Sequence, residues 1–476
     1  MKQRSKRQKA IIRRRIFLSL CSLALISFVA LGVAVGVMIF DDSPSDKSDK
    51  KPSVSSTDKS KPQKPKEPYV VSEATVVSIG DIMCHAPQLS GAYDKASKTY
   101  DFTAFFKDVA PIFKSADLAI GNLEVTFGGE EKGFKGYPSF NTPDTLADAA
   151  KSAGLNLLLT ANNHSYDTSL SGLIRTANVL AEKGINFTGT RADTTAKRYA
   201  VVDVKGIKIG VVNFTYETTN ASSEAGRKYL NGTKIALEAN ELINSFSYTK
   251  IETFYSDAEA LIAQMKQDGA EYITFYMHWG EEYQLKQNTW QKSIAQRLSN
   301  MGVNLIVGGH PHVVQPIELI HSEDGENTTV CVYSLGNAVS NQRRQLISRC
   351  PTGHTEDGLI FSYTLEKYSD GRINLKDVNA IPTWVDKYQG GGGYLYTIYA
   401  LEGADANATR NADSYNRTMK IIGEGLSSVK AYLNPTETAE PDNSAKPAES
   451  SKSAESSKPD ESSKTAESSK PATKPN

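Results

Sequence analysis

The sequence predicts an α/β fold, and three features of the 476-residue chain carry that expectation. Segments with helical spacing of apolar residues alternate with short runs that are apolar throughout, as expected of strands buried on both faces by crossover helices. Several of the helical segments stop at a glycine, a common helix terminator. Polar residues suited to chemistry (Asp81, Glu124, Asn163, His164, His278, His310, His312) follow the apolar runs directly. They therefore fall at the carboxyl ends of strands, where α/β sheets bind ligands.

Taken in order, residues 1–15 carry eight bases (Lys2, Arg4, Lys6, Arg7, Lys9, Arg13, Arg14, Arg15) and no acid, and residues 16–40 carry no charge. At about 1.5 Å per residue the uncharged run makes a helix of roughly 37 Å, enough to cross a hydrocarbon core of about 30 Å. A cleaved signal peptide has a shorter apolar region, of about 7–15 residues. The expectation is a single-pass anchor in the cell membrane, with a cytoplasmic N-terminus and the main domain outside. Residues 41–72 are rich in Ser, Lys, Pro and Asp and read as a disordered linker. Residues 436–476 repeat KPAESS, KSAESS, KPDESS and KTAESS and read as a disordered tail.

Between the linker and the tail, 73–435 is the predicted folded domain. Residues 74–81 form a buried strand that enters a Gly-Asp turn. A helix over 144–154 ends at Gly154 and is followed by an apolar strand over 155–164. A helix over 169–184 leads to a strand at 185–190, and 198–217 is a hairpin around Lys205-Gly206. Helix-then-strand recurs at 257–280 and 290–312, and strands at 328–339 and 359–368 complete the reading.

The chain has 54 bases and 54 acids; without the eight bases of 1–15 the count is 54 − 8 = 46 against 54, or −8 for the rest. That balance argues against a nucleic-acid binder. Four cysteines exclude a disulfide scaffold. Cys331 and Cys350 are candidates for one pairing outside the cell, while Cys84 reads as a small buried residue.

The polar set is a mixture of Asp, Glu, Asn and imidazole. It lacks the thiolates of structural zinc and the all-oxygen shell of calcium, so it suits Mn, Fe or Zn, as one or two ions. Two ions about 3.5–4 Å apart, bridged by a carboxylate, would clamp a phosphoryl or similar group. His310 and His312 stand at i and i+2 around Pro311, so an extended strand end would place them on one face.

SIGDIM (78–83), GNLE (121–124), FNTPDTLADAAKSAGLNLLLTANNHSYD (140–167), MHWGEEY (277–283), GGHPHVVQPIE (308–318) and YSLGN (333–337) together resemble the CapA, or poly-γ-glutamate capsule synthesis, proteins. These belong to the calcineurin-like metallophosphoesterase superfamily. The resemblance implies a four-layer α/β/β/α sandwich with a metal site at its strand ends. Asp81 matches the first-strand metal aspartate, Asn163 the ligand Asn, and His278, His310 and His312 the later metal histidines. His164 matches the transition-state donor, with Asp167 orienting it. Ile82 and Met83 follow Asp81 where the superfamily has Asp-x-His, and His85 is the next histidine. Gly121-Asn122-Leu123-Glu124 replaces the usual Gly-Asp, which leaves any bridging carboxylate to Glu124.

The function implied is that of a membrane-anchored extracellular protein in synthesis or export of an anionic surface polymer such as poly-γ-glutamate. Its expected partners are that polymer, the membrane and polymer synthetase or transporter subunits. A secreted metal-dependent phosphoesterase and a non-catalytic polymer-binding scaffold are the alternatives. Lys135, in the loop 134–140, is expected to contact an acidic substrate. Glu281 and Glu282 read as solvated loop acids, Trp279 as packing, and Asn337 as capping a turn beneath the site.

Overall fold

The structure, a computed structural model, describes residues 67–219, 224–390, 392–402 and 408–435. The basic segment, the predicted span at 16–40, linker residues 41–66 and the repeat tail lie outside these. Among the described residues no helix is long and apolar enough to cross a membrane.

The first part of the chain runs β1 (Val70–Ile82), α1 (Ala86–Ala92), β2 (Tyr93–Asp94), β3 (Thr99–Tyr100), α2 (Thr103–Phe106), α3 (Ala110–Ser115), β4 (Leu118–Leu123), α4 (Thr145–Ala153), β5 (Leu157–Leu159), α5 (Ser169–Glu182) and β6 (Asn186–Thr188). The middle holds β7 (Ala200–Val204), β8 (Ile207–Tyr216), β9 (Tyr229–Leu230), β10 (Thr233–Lys234), β11 (Ser245–Phe246), α6 (Ile251–Gln267), β12 (Tyr272–His278), α7 (Thr289–Asn300) and β13 (Leu305–Gly309). The last part adds β14 (Ile317–His321), β15 (Thr328–Val332), β16 (Asn337–Val339), β17 (Asp357–Tyr368), β18 (Ile373–Gly390), β19 (Gly393–Ala400) and α8 (Ala408–Leu433).

Two mixed sheets result. One has the order β19–β18–β17–β1–β4–β5–β6, with β16 added beside β1; the other has β11–β8–β12–β13–β15–β14, with β7 beside β8. In each, the central strands are parallel: β1, β4, β5 and β6 in the first, and β8, β12, β13 and β15 in the second. The α4 crossover ends where predicted, because Gly154 adopts φ 111° and its N–H caps the carbonyls of Ala150 and Lys151.

Alternation along the strands sorts side chains into layers. Val77, Ile79, Ala119 and Leu158 face Phe105, Phe106, Leu146, Ala150 and Leu180 of α2, α4 and α5. Their neighbours Val76, Leu118, Ile120 and Leu157 face Ile209, Val211, Tyr276, Leu305 and Val307 of the other sheet. The far face of that sheet, with Val212, Phe214, Phe275 and Ile306, is covered by Phe254, Ala258, Leu261, Ile294 and Leu298 of α6 and α7. Helices, sheet, sheet and helices therefore stack in that order, with α8 adding Ile422, Leu426 and Val429 to the central layer.

Several expectations change. The strand predicted over 155–164 is three residues long, because the chain turns after Leu159 toward the site. The run 328–339 divides between sheets: β15 lies in the second, whereas β16 pairs with β1 in the first after Gly336 at φ 66°. The first strand starts at Val70, inside the stretch assigned by composition to the linker, and β18 and α8 had no sequence reading. Cys331 and Cys350 are not paired; both are free and buried, as is Cys84. Cys331 packs among Phe275, Ile306 and Tyr333 in the core, and Cys350 sits 3.6 Å from the Thr352 hydroxyl.

Candidate metal centre

The strand registers bring the candidate residues together. Asp81 is opposite Asn122 on β4 and Asn337 on β16, while His278 ends β12 opposite Gly309. Glu124 follows β4, the 162–168 turn follows β5, and His310 and His312 follow β13. Asp81, Glu124, Asn163, His164, His278, His310 and His312 are all buried.

Asp81 accepts hydrogen bonds from Asn122 Nδ2 at 2.7 Å and, on its other oxygen, from the His310 N–H and His312 Nδ1, each at 3.2 Å. Burial acts to raise the Asp81 pKa. The His312 hydrogen bond and the charges of His278 and His312 outweigh it and hold the carboxyl below its ordinary value. The opposite balance acts on His312, where burial opposes the charge but Glu124 and Asp81 raise the pKa to about 9. Burial, with the neighbouring His278, pushes His310 well below the usual imidazole range.

His278 Nε2 donates to Asn163 Oδ1 at 2.8 Å, while Asn122 Nδ2 faces His278 Nδ1 at 3.3 Å. The two contacts set the His278 ring orientation. Glu124 Oε1 lies 3.4 Å from His278 Nε2 and 3.9 Å from His312 Nε2. Neither Glu124 oxygen has a hydrogen-bond partner, nor does His310 Nδ1. A fully buried carboxylate left in that condition is costly unless something positive meets it. Ligand atoms of Glu124, His278 and His310 form one group within 4.8 Å, and those of Asp81, Glu124 and His312 a second. Glu124 belongs to both, the position a bridging carboxylate takes. The donor set thus fits divalent transition-metal ions.

His310 and His312 reach this cluster by a different route from the one the i, i+2 spacing suggested. β13 ends at Gly309, and His310 and His312 sit in a turn at φ 94° and 56°. Such angles are uncommon for residues with a Cβ and cluster at functional sites. The turn is tied down by the Tyr283 N–H on the Pro311 carbonyl at 2.8 Å and by Asn337 Nδ2 on the His312 carbonyl at 3.3 Å. Asn337 also donates to the Thr355 carbonyl and Gln342 Oε1, so it braces the turn from below.

His164 stands at the mouth of the cluster. Its Nδ1–H donates to Asp167 Oδ2 at 2.7 Å, and the same Asp167 oxygen accepts the Phe140 N–H at 2.6 Å. A cleft of about 720 Å³ opens here, lined by Asn163, His164, Tyr166, Tyr216, Asn231 and Glu282 among others. Tyr137, Pro138 and Ser139 line it too. Lys135 of the same loop is exposed and is not part of that lining. Glu281 is exposed, and Glu282 pairs with Arg349 at 3.4 Å on the rim. Trp279 is buried, stacked on Tyr333, with its N–H on the Tyr333 carbonyl.

Residues without a sequence reading also take part. Asn162 donates to the Leu123 carbonyl at 2.8 Å and holds the loop that carries Asn163 against β4. Tyr216 lies 4.7 Å, ring to ring, from His310. Asn231 accepts from Asn163 Nδ2 at 2.8 Å from the tip of the β9–β10 hairpin. Asn231-Gly232 between two short runs is a turn signal in the sequence; nothing local says that the turn reaches this site.

His85 does not join the ligand groups. Its Nδ1 lies 3.3 Å from the Asn341 N–H and 3.2 Å from Gln88 Oε1, and its ring packs edge-on against Phe140. Burial lowers its pKa to about 4. Unfolded, it titrates near 6.5. Between those values the unfolded chain holds a proton that the folded one excludes, so the stability is present above pH ~6.5 and is lost as pH falls toward 4. The loss is about 3 kcal/mol in full, and denaturant titrations from pH 7 to 4 on His85→Gln should show a shallower decline than wild type. Parallel declines would remove His85 as the cause.

Residues 75–342 match the family described as Bacterial capsule synthesis protein PGA_cap. The chain is 28% identical over 306 residues to the PGA biosynthesis protein CapA of Bacillus subtilis (strain 168), a match covering 63% of this chain and 70% of that one. It is 26% identical over 277 residues to the capsule biosynthesis protein CapA of Bacillus anthracis, covering 56% of this chain and 60% of that one.

Proposed function

This chain belongs to the bacterial capsule synthesis protein family PGA_cap, and from that membership we propose that it acts at the cell surface in making or exporting an anionic capsule polymer, using bound divalent transition metal. The PGA biosynthesis name of the Bacillus subtilis relative supports poly-γ-glutamate, or a polymer like it, as the material handled. The charge pattern supports the address: the uncharged run 16–40 as membrane anchor behind a basic cytoplasmic end, 41–72 as spacer, 73–435 as a metallophosphoesterase-like domain outside, and 436–476 as tail. Synthetase or transporter subunits in the same membrane would be its partners.

The observation that carries the metal reading is the buried Glu124 carboxylate, which accepts no hydrogen bond and is shared by two ligand groups. Asp81, Glu124, Asn163, His278, His310 and His312 would hold one or two ions of Mn, Fe or Zn. When bound, such ions supply Lewis-acid polarisation of a phosphoryl or acyl oxygen. The protein's own part is then positional. Asp167 keeps the His164 Nδ1 proton in place, so Nε2 is the ring atom left to give or take a proton at the reacting group. The half-buried Tyr216 and the Asn231 amide line the same cleft and would orient that group.

Metal content tests this on the purified full chain and on His310→Ala, together with turnover of a generic phosphodiester and of γ-glutamyl oligomers. The expected result is Mn, Fe or Zn in the wild type, less in the variant, and turnover that falls with it. A wild-type chain that neither retains nor takes up a transition metal would end the metal reading. Metal without turnover of either compound would favour the polymer-binding scaffold.

A further inference from the structure

An asparagine that ligates a metal has two ends of nearly equal shape and opposite chemistry. Its carbonyl oxygen carries lone pairs and can meet an ion, whereas its amide nitrogen has only protons to offer. Something must therefore fix which end of Asn163 faces the cluster. Asn163 is buried, and its Oδ1 lies 2.8 Å from His278 Nε2, the ring atom that also faces Glu124 Oε1 at 3.4 Å. Its Nδ2 donates to Asn231 Oδ1 at 2.8 Å, and among the described residues no other group accepts from that nitrogen.

Asn231 comes to this place from 68 residues away. It stands between β9 and β10 at φ 47°, and Gly232 follows at φ 72°. Asn-Gly is the pair that a tight hairpin turn favours, so the turn alone accounts for the residue type. It does not account for where the tip is held. Leu230 is buried in one apolar cluster with Leu173 of α5, Ile235, Leu242 and Ile243. The Gly232 N–H donates to Thr218 Oγ1 at 3.3 Å, and the Ala236 N–H to the Tyr166 hydroxyl at 3.2 Å. So anchored, the Asn231 side chain spans the Asn163-His164 pair. Its oxygen meets Asn163, and its Nδ2 lies 3.4 Å from both ring nitrogens of His164, which places it over the ring face rather than at the edge.

We propose that Asn231 is a positioning residue for the metal centre, its side-chain oxygen holding the Asn163 amide with the carbonyl turned toward the ions. The proposal rests on the metal reading of that centre and adds to it a residue that touches no ion. Without the Asn231 oxygen, Asn163 Nδ2 loses its acceptor and the present orientation loses its advantage. The reversed amide would aim N–H donors at the ions and withhold one ligand from them. Partners that orient metal ligands in this way are worth about 10–100-fold in affinity.

Glycine and aspartate separate this role from that of a turn residue, because both accept the left-handed conformation and preserve the hairpin. Asn231→Gly removes the accepting oxygen, and Asn231→Asp keeps it. Competition titrations of the purified full chain with Mn and Zn against a chromophoric chelator give the affinities, and melting curves under chelator report on the fold. Asn231→Gly should bind both ions about tenfold more weakly than wild type, and Asn231→Asp about as tightly. Neither should melt far below wild type under chelator. Thr233→Asp added to the glycine variant places a charge on the same hairpin without that oxygen, and affinity should stay low. Recovery there would overturn the proposal by making charge, not orientation, the cause. Wild-type affinity in Asn231→Gly, equal losses in the glycine and aspartate variants, or a glycine variant that melts far lower under chelator would also overturn it, and each leaves the metal reading standing. A wild-type chain that takes up neither ion would end both.

Discussion

Glu124→Gln should abolish transition-metal uptake and remove the thermal stabilisation that metal confers on the wild type. The wild-type carboxylate is wholly buried, has no hydrogen bond on either oxygen, and belongs to both ligand groups, so one substitution weakens both at once. A ligand present at about a thousand times its dissociation constant stabilises the folded state by about 4 kcal/mol. That entire increment should vanish in the variant. Without added metal the variant should melt no lower than wild type, because a neutral amide is cheaper to bury than a carboxylate that accepts no hydrogen bond, and His312, whose proton Glu124 helps to hold, can shed it. Melting curves with chelator, Mn and Zn read both effects. Equal metal-induced shifts in the two proteins would show that Glu124 is not a ligand, and a large loss under chelator would show that it is structural.

Gly80→Ala should be among the most damaging small substitutions beside the site. A Cβ on Gly80 would stand 1.9 Å from the Gly336 carbonyl oxygen and 2.9 Å from its carbon. That carbonyl accepts the Asp81 N–H at 3.0 Å, so it cannot retreat without drawing Asp81 out of place. Backbone displaced in this way costs on the order of 3 kcal/mol. That corresponds to a fall in melting temperature of roughly 4 °C for a domain of this size. The folded fraction should also bind metal more weakly. Gly423→Ala is the control: on α8 the nearest atom is Met419 Cε at 4.0 Å, and helix propensity alone would make it neutral or stabilising by up to ~1 kcal/mol. Equal losses in the two variants would show that close approach at Gly80 does not matter.

Much of the fold was readable along the chain because its information is local. Apolar periodicity and Gly154 gave α4, and Lys205-Gly206, both at positive φ, gave the β7–β8 hairpin. The strand-end positions of Asp81, Glu124, His278 and the 308–312 motif followed from the same pattern, and the structure brings these residues together. Other features were not readable because they depend on partners far away in sequence. Asn122, which the sequence shows simply in place of an aspartate, proves to hold Asp81 and His278 in register. Asn231 meets Asn163 across 68 residues, and the division of 328–339 between two sheets depends on β1 being there to receive β16. The cysteine pairing failed for the same reason: spacing carries no distance.

The sequence by itself determined the α/β class, the mixed oxygen and nitrogen donor types and the family. These rest on residue chemistry, on the 3.6-residue period of the helices and on continuous apolar runs for the strands, which any segment carries alone. Tertiary structure alone decided that Glu124, without a hydrogen bond, is shared by two groups of histidines and carboxylates, that His310 and His312 arrive through a left-handed turn, and that Asp167 faces Nδ1 of His164. Those are relations of distance and orientation between strand ends. They come into being when two sheets pack and their carboxyl edges meet.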